Sequence, residues 1–285
     1  MVKSSPDIAR EVDRYIRTGE TDPHRAAWSG SFIEREAHAH ADLRGALVRE
    51  MRRFADGRSH FQLPESDVVA LTRQSVEPMV RGLLPRSEQG AVLEILEKSV
   101  VFVTSANIES LILERPFDRS AWSLANLYLA SVGADLLGET APRIVGMSEG
   151  TTCFVSPDYF DVREPFADFV IHETAHIFHN CKRRTVGLPE TRAREWLLDI
   201  EFGKRETFAY ACEAYARIHE RATSPAHRRA LADEFASTVR ISDEQADSAV
   251  VASIVREAAA ARSGWKVIRD RCATMSNPRM ARIPM

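Results

Sequence analysis

Phe169-Val170-Ile171-His172-Glu173-Thr174-Ala175-His176-Ile177-Phe178-His179-Asn180-Cys181 is the stretch on which the reading of this chain turns. Inside it His172, Glu173 and His176 form an HExxH run. On a helix, residues four apart lie one turn above each other, so both imidazoles project from one face and can reach a single Zn²⁺ at ~2.1 Å. Glu173, one residue along, leans beside the metal, where its carboxylate can take a proton from a zinc-activated water. Phe166, Phe169, Val170, Ile171, Ile177 and Phe178 surround this polar trio, which is costly to bury without metal or hydrogen-bond partners.

A catalytic zinc needs a third protein ligand and an open fourth position. His179 lies seven residues past His172, about two turns or ~10 Å along the axis, so the two cannot share a metal. The chain also lacks the Gly with which metzincins turn back to a third His. His179 and Asn180 therefore read as exposed residues or as partners that orient His172. The later stretch Gly203-Lys204-Arg205-Glu206-Thr207-Phe208-Ala209-Tyr210-Ala211-Cys212-Glu213-Ala214-Tyr215 supplies carboxylates, with Glu206, Tyr210 and Glu213 on one helical stripe. Small Ala209 and Ala214 allow a second helix to approach closely. Glu206 and Glu213 are two turns apart, so one of them at most binds the metal. Glu206 is favoured by its first-turn position, and Glu190, Glu195 and Glu201 read as solvated charges.

HExxH followed about thirty residues later by Glu-x-Phe-Ala resembles the gluzincin zinc peptidases, in particular the Mlc titration factor family and the anthrax lethal factor catalytic domain. Residues 163 to 218 carry the resemblance. It implies that His172, His176 and Glu206 are the zinc ligands, that Glu173 is the general base, and that a peptide or protein substrate lies along an edge strand, here Thr151 to Ser156. The family's catalytic Tyr, seven residues before its Glu ligand, is replaced by Asp199. Tyr210 and Tyr215 are the remaining candidates for stabilising an oxyanion, and Tyr210 is the one assigned here.

Outward from the motif, the fold reads as α+β and mainly helical: a zincin-like catalytic domain with a small sheet over 96–285, and an N-terminal helical region over 1–95. Periodicity and glycine stops predict helices over Ser5–Gly19, Ser31–Gly57, Glu65–Leu84 and Arg119–Leu137. Others are expected over Arg163–Asn180, Thr191–Ile200, Gly203–His219, 225–240, 242–262 (opening at Ser242) and 264–274. Val100–Val103 fits helix or strand. Arg143–Met147 and Thr151–Ser156 read as a hairpin around Ser148-Glu149-Gly150.

Composition narrows the alternatives. The chain has 285 residues with 38 Lys+Arg against 41 Asp+Glu, a net charge of -3, so it has no basic field for duplex nucleic acid. No apolar run approaches the ~18 residues of a membrane span, and MVKSSPDIAR is not a signal peptide. The four Cys contain no CxxC pair, which excludes a disulfide scaffold and a four-Cys zinc site and points to a cytoplasmic chain with reduced thiols. Cys153 reads as a small buried hydrophobe, His38 and His40 face opposite sides of a helix, and Arg44 to Arg53 read as a solvated face. The expected activity is zinc-dependent peptide hydrolysis. The alternative is a latent zincin-like regulatory protein that binds a protein partner.

Overall fold

The computed structural model describes residues 5–58, 63–64, 67–161, 164–192, 194–241 and 243–274. In chain order the helices are α1 (Ser5–Thr18), α2 (Phe32–Ala55), α3 (Val68–Leu83), α4 (Arg86–Leu96), α5 (Ile108–Glu114), α6 (Asp118–Ser131), α7 (Phe169–Asn180), α8 (Arg205–Arg221), α9 (Pro225–Thr238), α10 (Ser248–Ala260) and α11 (Gly264–Cys272). The strands are β1 (Val100–Phe102), β2 (Gly146–Glu149) and β3 (Thr152–Val155), in the spatial order β1-β3-β2. The fold is thus mainly helical with one small sheet. None of the described helices is long and apolar enough to cross a membrane.

The chain divides into two units, each made of three separate stretches of sequence. Unit 1 comprises Met1–Glu65, Phe102–Met147 and Phe154–Asp161; unit 2 comprises Ser66–Val101, Ser148–Cys153 and Val162–Met285. In unit 1, Ser31 opens α2 with a reciprocal capping box, its hydroxyl accepting from the Glu34 N–H while the Glu34 carboxylate accepts from the Ser31 N–H. Arg44 departs from the expected solvated face. It is only 1% exposed, paired with Asp118 at 3.0 Å and donating to the Tyr15 hydroxyl at 2.9 Å. Arg52 and Arg53 do face water. His38 is exposed, and His40 lies 3.3 Å from the Arg115 carbonyl, so the two form no metal pair.

Unit 2 is built on α7, α8, α10 and α11 with α3 against them. Its core includes Val170, Ile171, Phe178, Phe208, Ala211, Ile254, Val255 and Ile268, all buried. Gly82 on α3 lies where any Cβ would fall 2.0 Å from the Trp265 ring of α11, so the helices meet there at a distance only glycine permits.

Three expectations need correction. Thr191–Ile200 forms no helix among its described residues. Leu197 and Leu198 instead bury their side chains from an extended path whose N–H groups donate to the carbonyls of Cys181 and Phe178, a tertiary pairing that outweighs local periodicity. Thr151–Ser156 is not a sheet edge, because β3 is the central strand; β1 and β2 are the edges. The hairpin turn falls at Gly150, whose φ of +60° suits glycine, so Ser148 and Glu149 belong to β2. Val100–Val103 resolves as strand β1 and its extension, and α6 stops at Ser131 before Gly133, with φ +67°. Ser242 and Arg163, expected near helix starts, lie outside the described residues.

Candidate metal centre

The site is assembled from two helices of unit 2. Asp168 caps α7, its carboxylate accepting from the Ile171 N–H at 3.0 Å. This starts the helix at Phe169, six residues later than the expected Arg163; an Asp directly before an apolar run was the available signal. α7 then presents His172 and His176 on one face, with ring centroids 5.1 Å apart. α8 packs against it, and the partners descend α8 as they climb α7: Glu213 meets Asp168 and His172, while Glu206 meets His172 and His176. The helices are therefore antiparallel.

His172, His176 and Glu206 come together as expected, each offering one ligand atom within 4.8 Å of the others. Glu206 Oε2 is 3.5 Å from the Nε2 atoms of both His172 and His176. That spacing is long for N–H···O bonds, which run ~2.7–3.2 Å. It equals, within error, the edge of about 3.4 Å between ligand atoms set tetrahedrally at ~2.1 Å around a Zn²⁺. Two imidazoles and one carboxylate are also the protein donor set of a catalytic rather than a structural zinc. The residues present fit the ion.

Glu213 is excluded as the third ligand by where it sits. Its Oε2 lies 3.0 Å from Nδ1 of His172, the far side of the ring, and its Oε1 accepts from the Asp168 N–H at 2.7 Å. It orients His172 and ties it to the helix cap. His179 does not orient His172. It is 3% exposed, with Nε2 at 3.0 Å from Nδ1 of His176 and Nδ1 at 3.1 Å from Oδ1 of Asn180. Of the two sequence readings of His179, exposed or orienting His172, neither names His176; the i, i+3 spacing from His176 is the signal for that contact.

Charge at the site follows from burial and these contacts. Glu173 is 6% exposed, and its carboxyl is pushed up by burial, with the neighbouring imidazoles pulling the other way. Burial also opposes ionisation of Glu206, yet the two imidazoles hold its carboxyl well below the usual range. For His172 burial disfavours the cation, but Glu206 and Glu213 outweigh it and raise its pKa to about 10. His179 goes the other way, to about 3, chiefly by burial and then by the charges of His176 and Arg205. Burial, with Glu213 adding to it, pushes Asp168 up to about 6.

Tyr210 sets its ring edge-on to His172, with centroids 4.5 Å apart. Burial first, then Asp243, Glu213, Glu206 and Glu173, push its hydroxyl up, so it stays a proton donor. Tyr215 is not at the site: its ring packs on Trp265 at 4.9 Å, within the core. Cys153 is fully buried, with its thiol pushed up by burial and then by Glu173, and is outside the ligand cluster. Glu190, Glu195 and Glu201 lie in surface pairs with Arg184, Lys182 and Lys204. Comparison of the chain with protein-family models, with curated proteins and with solved structures returns no match.

Proposed function

We propose that this chain is a zinc-dependent metallopeptidase of the gluzincin type, with unit 2 as its zincin-like catalytic part. The observation that carries this reading is the cluster of His172 Nε2, His176 Nε2 and Glu206 Oε2, with Glu206 Oε2 3.5 Å from both nitrogens and Glu173 one residue along the same helix. A Zn²⁺ held by these three atoms would act as a Lewis acid on a scissile carbonyl and lower the pKa of water toward ~7.

The chain's own groups supply the rest. Glu173, buried and raised in proton affinity, takes the proton from the attacking water and passes it to the leaving amine. Tyr210, protonated and edge-on to His172, is the neutral donor available for an oxyanion. Glu213 and His179 hold the two imidazoles in orientation. A site that only bound metal for structure has no use for a third carboxylate beside the ligands, and Glu173 makes none of the hydrogen bonds that hold the ligand imidazoles.

Glu173→Gln tests the reading. The amide keeps the shape but cannot accept the proton, so the variant retains zinc while hydrolysis of a peptide library falls by at least ~10²-fold, within the range of ~10²–10⁴ for general acid–base work. Cleavage at the parent rate by Glu173→Gln refutes the mechanism. Zinc bound with no cleavage by either protein supports a binding protein instead.

A further inference from the structure

We infer that His179 is a positioning residue: a neutral imidazole, fixed by Asn180, that forces His176 to present Nε2 to the metal. The inference rests on the zinc reading above and concerns how that site is kept in one protonation pattern. The chain of contacts is His176 Nδ1 to His179 Nε2 at 3.0 Å and His179 Nδ1 to Asn180 Oδ1 at 3.1 Å.

With both rings neutral and the Asn180 amide oxygen facing Nδ1 of His179, one arrangement of protons satisfies this chain. An amide oxygen accepts and cannot donate, so His179 places its proton on Nδ1 and donates it to Asn180. Its Nε2 then carries a lone pair and can only accept. His176 must therefore donate from Nδ1, which leaves Nε2, the nitrogen facing Glu206, as the lone pair for a metal. With His176 protonated on Nδ1, as a metal on Nε2 requires, the alternative tautomer of His179 sets two N–H groups against each other at the buried contact. Because His179 is 3% exposed, water cannot repair that mismatch.

The two ligands are thus held differently. His172 is backed by the carboxylate of Glu213, and His176 by a neutral ring. A carboxylate partner strengthens the donor atom of its imidazole, while a neutral one fixes direction and tautomer without adding negative charge. With Glu173, Glu206 and Glu213 already at the site, a fourth carboxylate in place of His179 would raise the anionic charge next to the general base.

The test uses the full chain, comparing parent, His179→Phe and His179→Gln for zinc affinity by competition with a chromophoric chelator. Cobalt absorption of each protein and nitrogen NMR of the imidazoles in the zinc-loaded form report ligand geometry and tautomer. His179→Phe keeps ring volume against Phe208 but has no acceptor, and should weaken zinc binding by ~10–100-fold and alter the cobalt spectrum. His179→Gln offers an amide oxygen to His176 and should restore most of that loss. In the parent, NMR should show the proton of His179 on Nδ1. Should His179→Phe fail to fold, Asn180→Leu at the exposed end of the chain carries the same expectation in weaker form. Parent zinc affinity and an unchanged cobalt spectrum in His179→Phe overturn this inference alone, and so does a proton found on Nε2. A parent that binds no zinc overturns the metal reading and this inference together.

Discussion

Replacing Glu213 and Glu206 separately should damage the protein in different ways. Glu213 accepts from the Asp168 N–H at 2.7 Å and faces His172 Nδ1 at 3.0 Å. Glu213→Gln offers one acceptor where there were two, so one buried donor is left facing an N–H group. That mismatch costs about 1–3 kcal/mol of stability in the metal-free protein. The His172 ring keeps its place but loses its carboxylate partner, and zinc affinity falls ~10–100-fold, equivalent to about 1.4–2.7 kcal/mol. Glu206→Ala removes a ligand atom lying 3.5 Å from both Nε2 atoms, and the loss of affinity exceeds about 100-fold. In the metal-free fold its removal leaves no backbone N–H without a partner but takes away one of the two carboxylates that face His172. Chelator competition gives the affinities, and urea unfolding in the presence of a strong chelator gives the stabilities. Zinc retained by Glu206→Ala and lost by Glu213→Gln refutes the ligand assignment, whatever the fold does.

Three further outcomes are expected. Tyr210→Phe keeps the ring on His172, so zinc affinity is unchanged while kcat falls ~10²–10³-fold; equal kcat reduces Tyr210 to packing. Gly82→Ala ordinarily favours a helix by up to ~1 kcal/mol, but its Cβ would meet Trp265 at 2.0 Å, so thermal unfolding should show a net loss of about 1–3 kcal/mol, and a raised Tm would contradict the close helix approach. Glu88 joins buried Arg183 at 2.9 Å and half-exposed Arg194 at 3.0 Å; its hydrogen bond from Arg183 first of all, against the opposing effect of burial, holds its carboxyl below the ordinary 4.5. A depressed carboxyl stabilises the fold above its unfolded pKa and loses that contribution as pH falls through the folded one, so the stability gap between parent and Glu88→Gln should be full at neutral pH and shrink below 4.5. A gap independent of pH would show that the pair is not ionised.

How much of this could be read from residues alone depended on whether the deciding contact was local. HExxH was legible because i, i+4 geometry needs only one helix, and Glu206 because it opens the next amphipathic stripe. Where Glu213 and His179 point was not legible, since each depends on the antiparallel packing of α7 against α8. The helix start at Ser31 and the stops at Gly19 and Gly57 followed from capping and left-handed backbone. Thr191–Ile200 failed because the apolar residues 197, 198 and 200 are buried by long-range backbone pairing. Arg44 failed for a similar reason: its partners, Tyr15 and Asp118, are 29 and 74 residues away. The central place of β3 is likewise a property of the sheet rather than of its four residues.

The arrangement of charge at the site is easier to understand as a place for a cation than as a set of salt bridges. Burial disfavours every ion there, and replacing buried ion pairs by apolar groups is often neutral or stabilising. Two carboxylates, Glu206 and Glu213, nevertheless approach His172 from opposite ring nitrogens and together raise its pKa to about 10, against the effect of burial. Without a metal, a proton fills that role. A dication held there would balance Glu206 and Glu213, and its binding would release to solvent the proton that competes for the same nitrogen of His172. Glu173 is left as the carboxylate whose proton affinity burial has raised and which no described cation pairs within ion-pair distance. A group in that state is unfavourable for stability and suited to accepting and returning a proton, which is the role the proposed hydrolysis would give it.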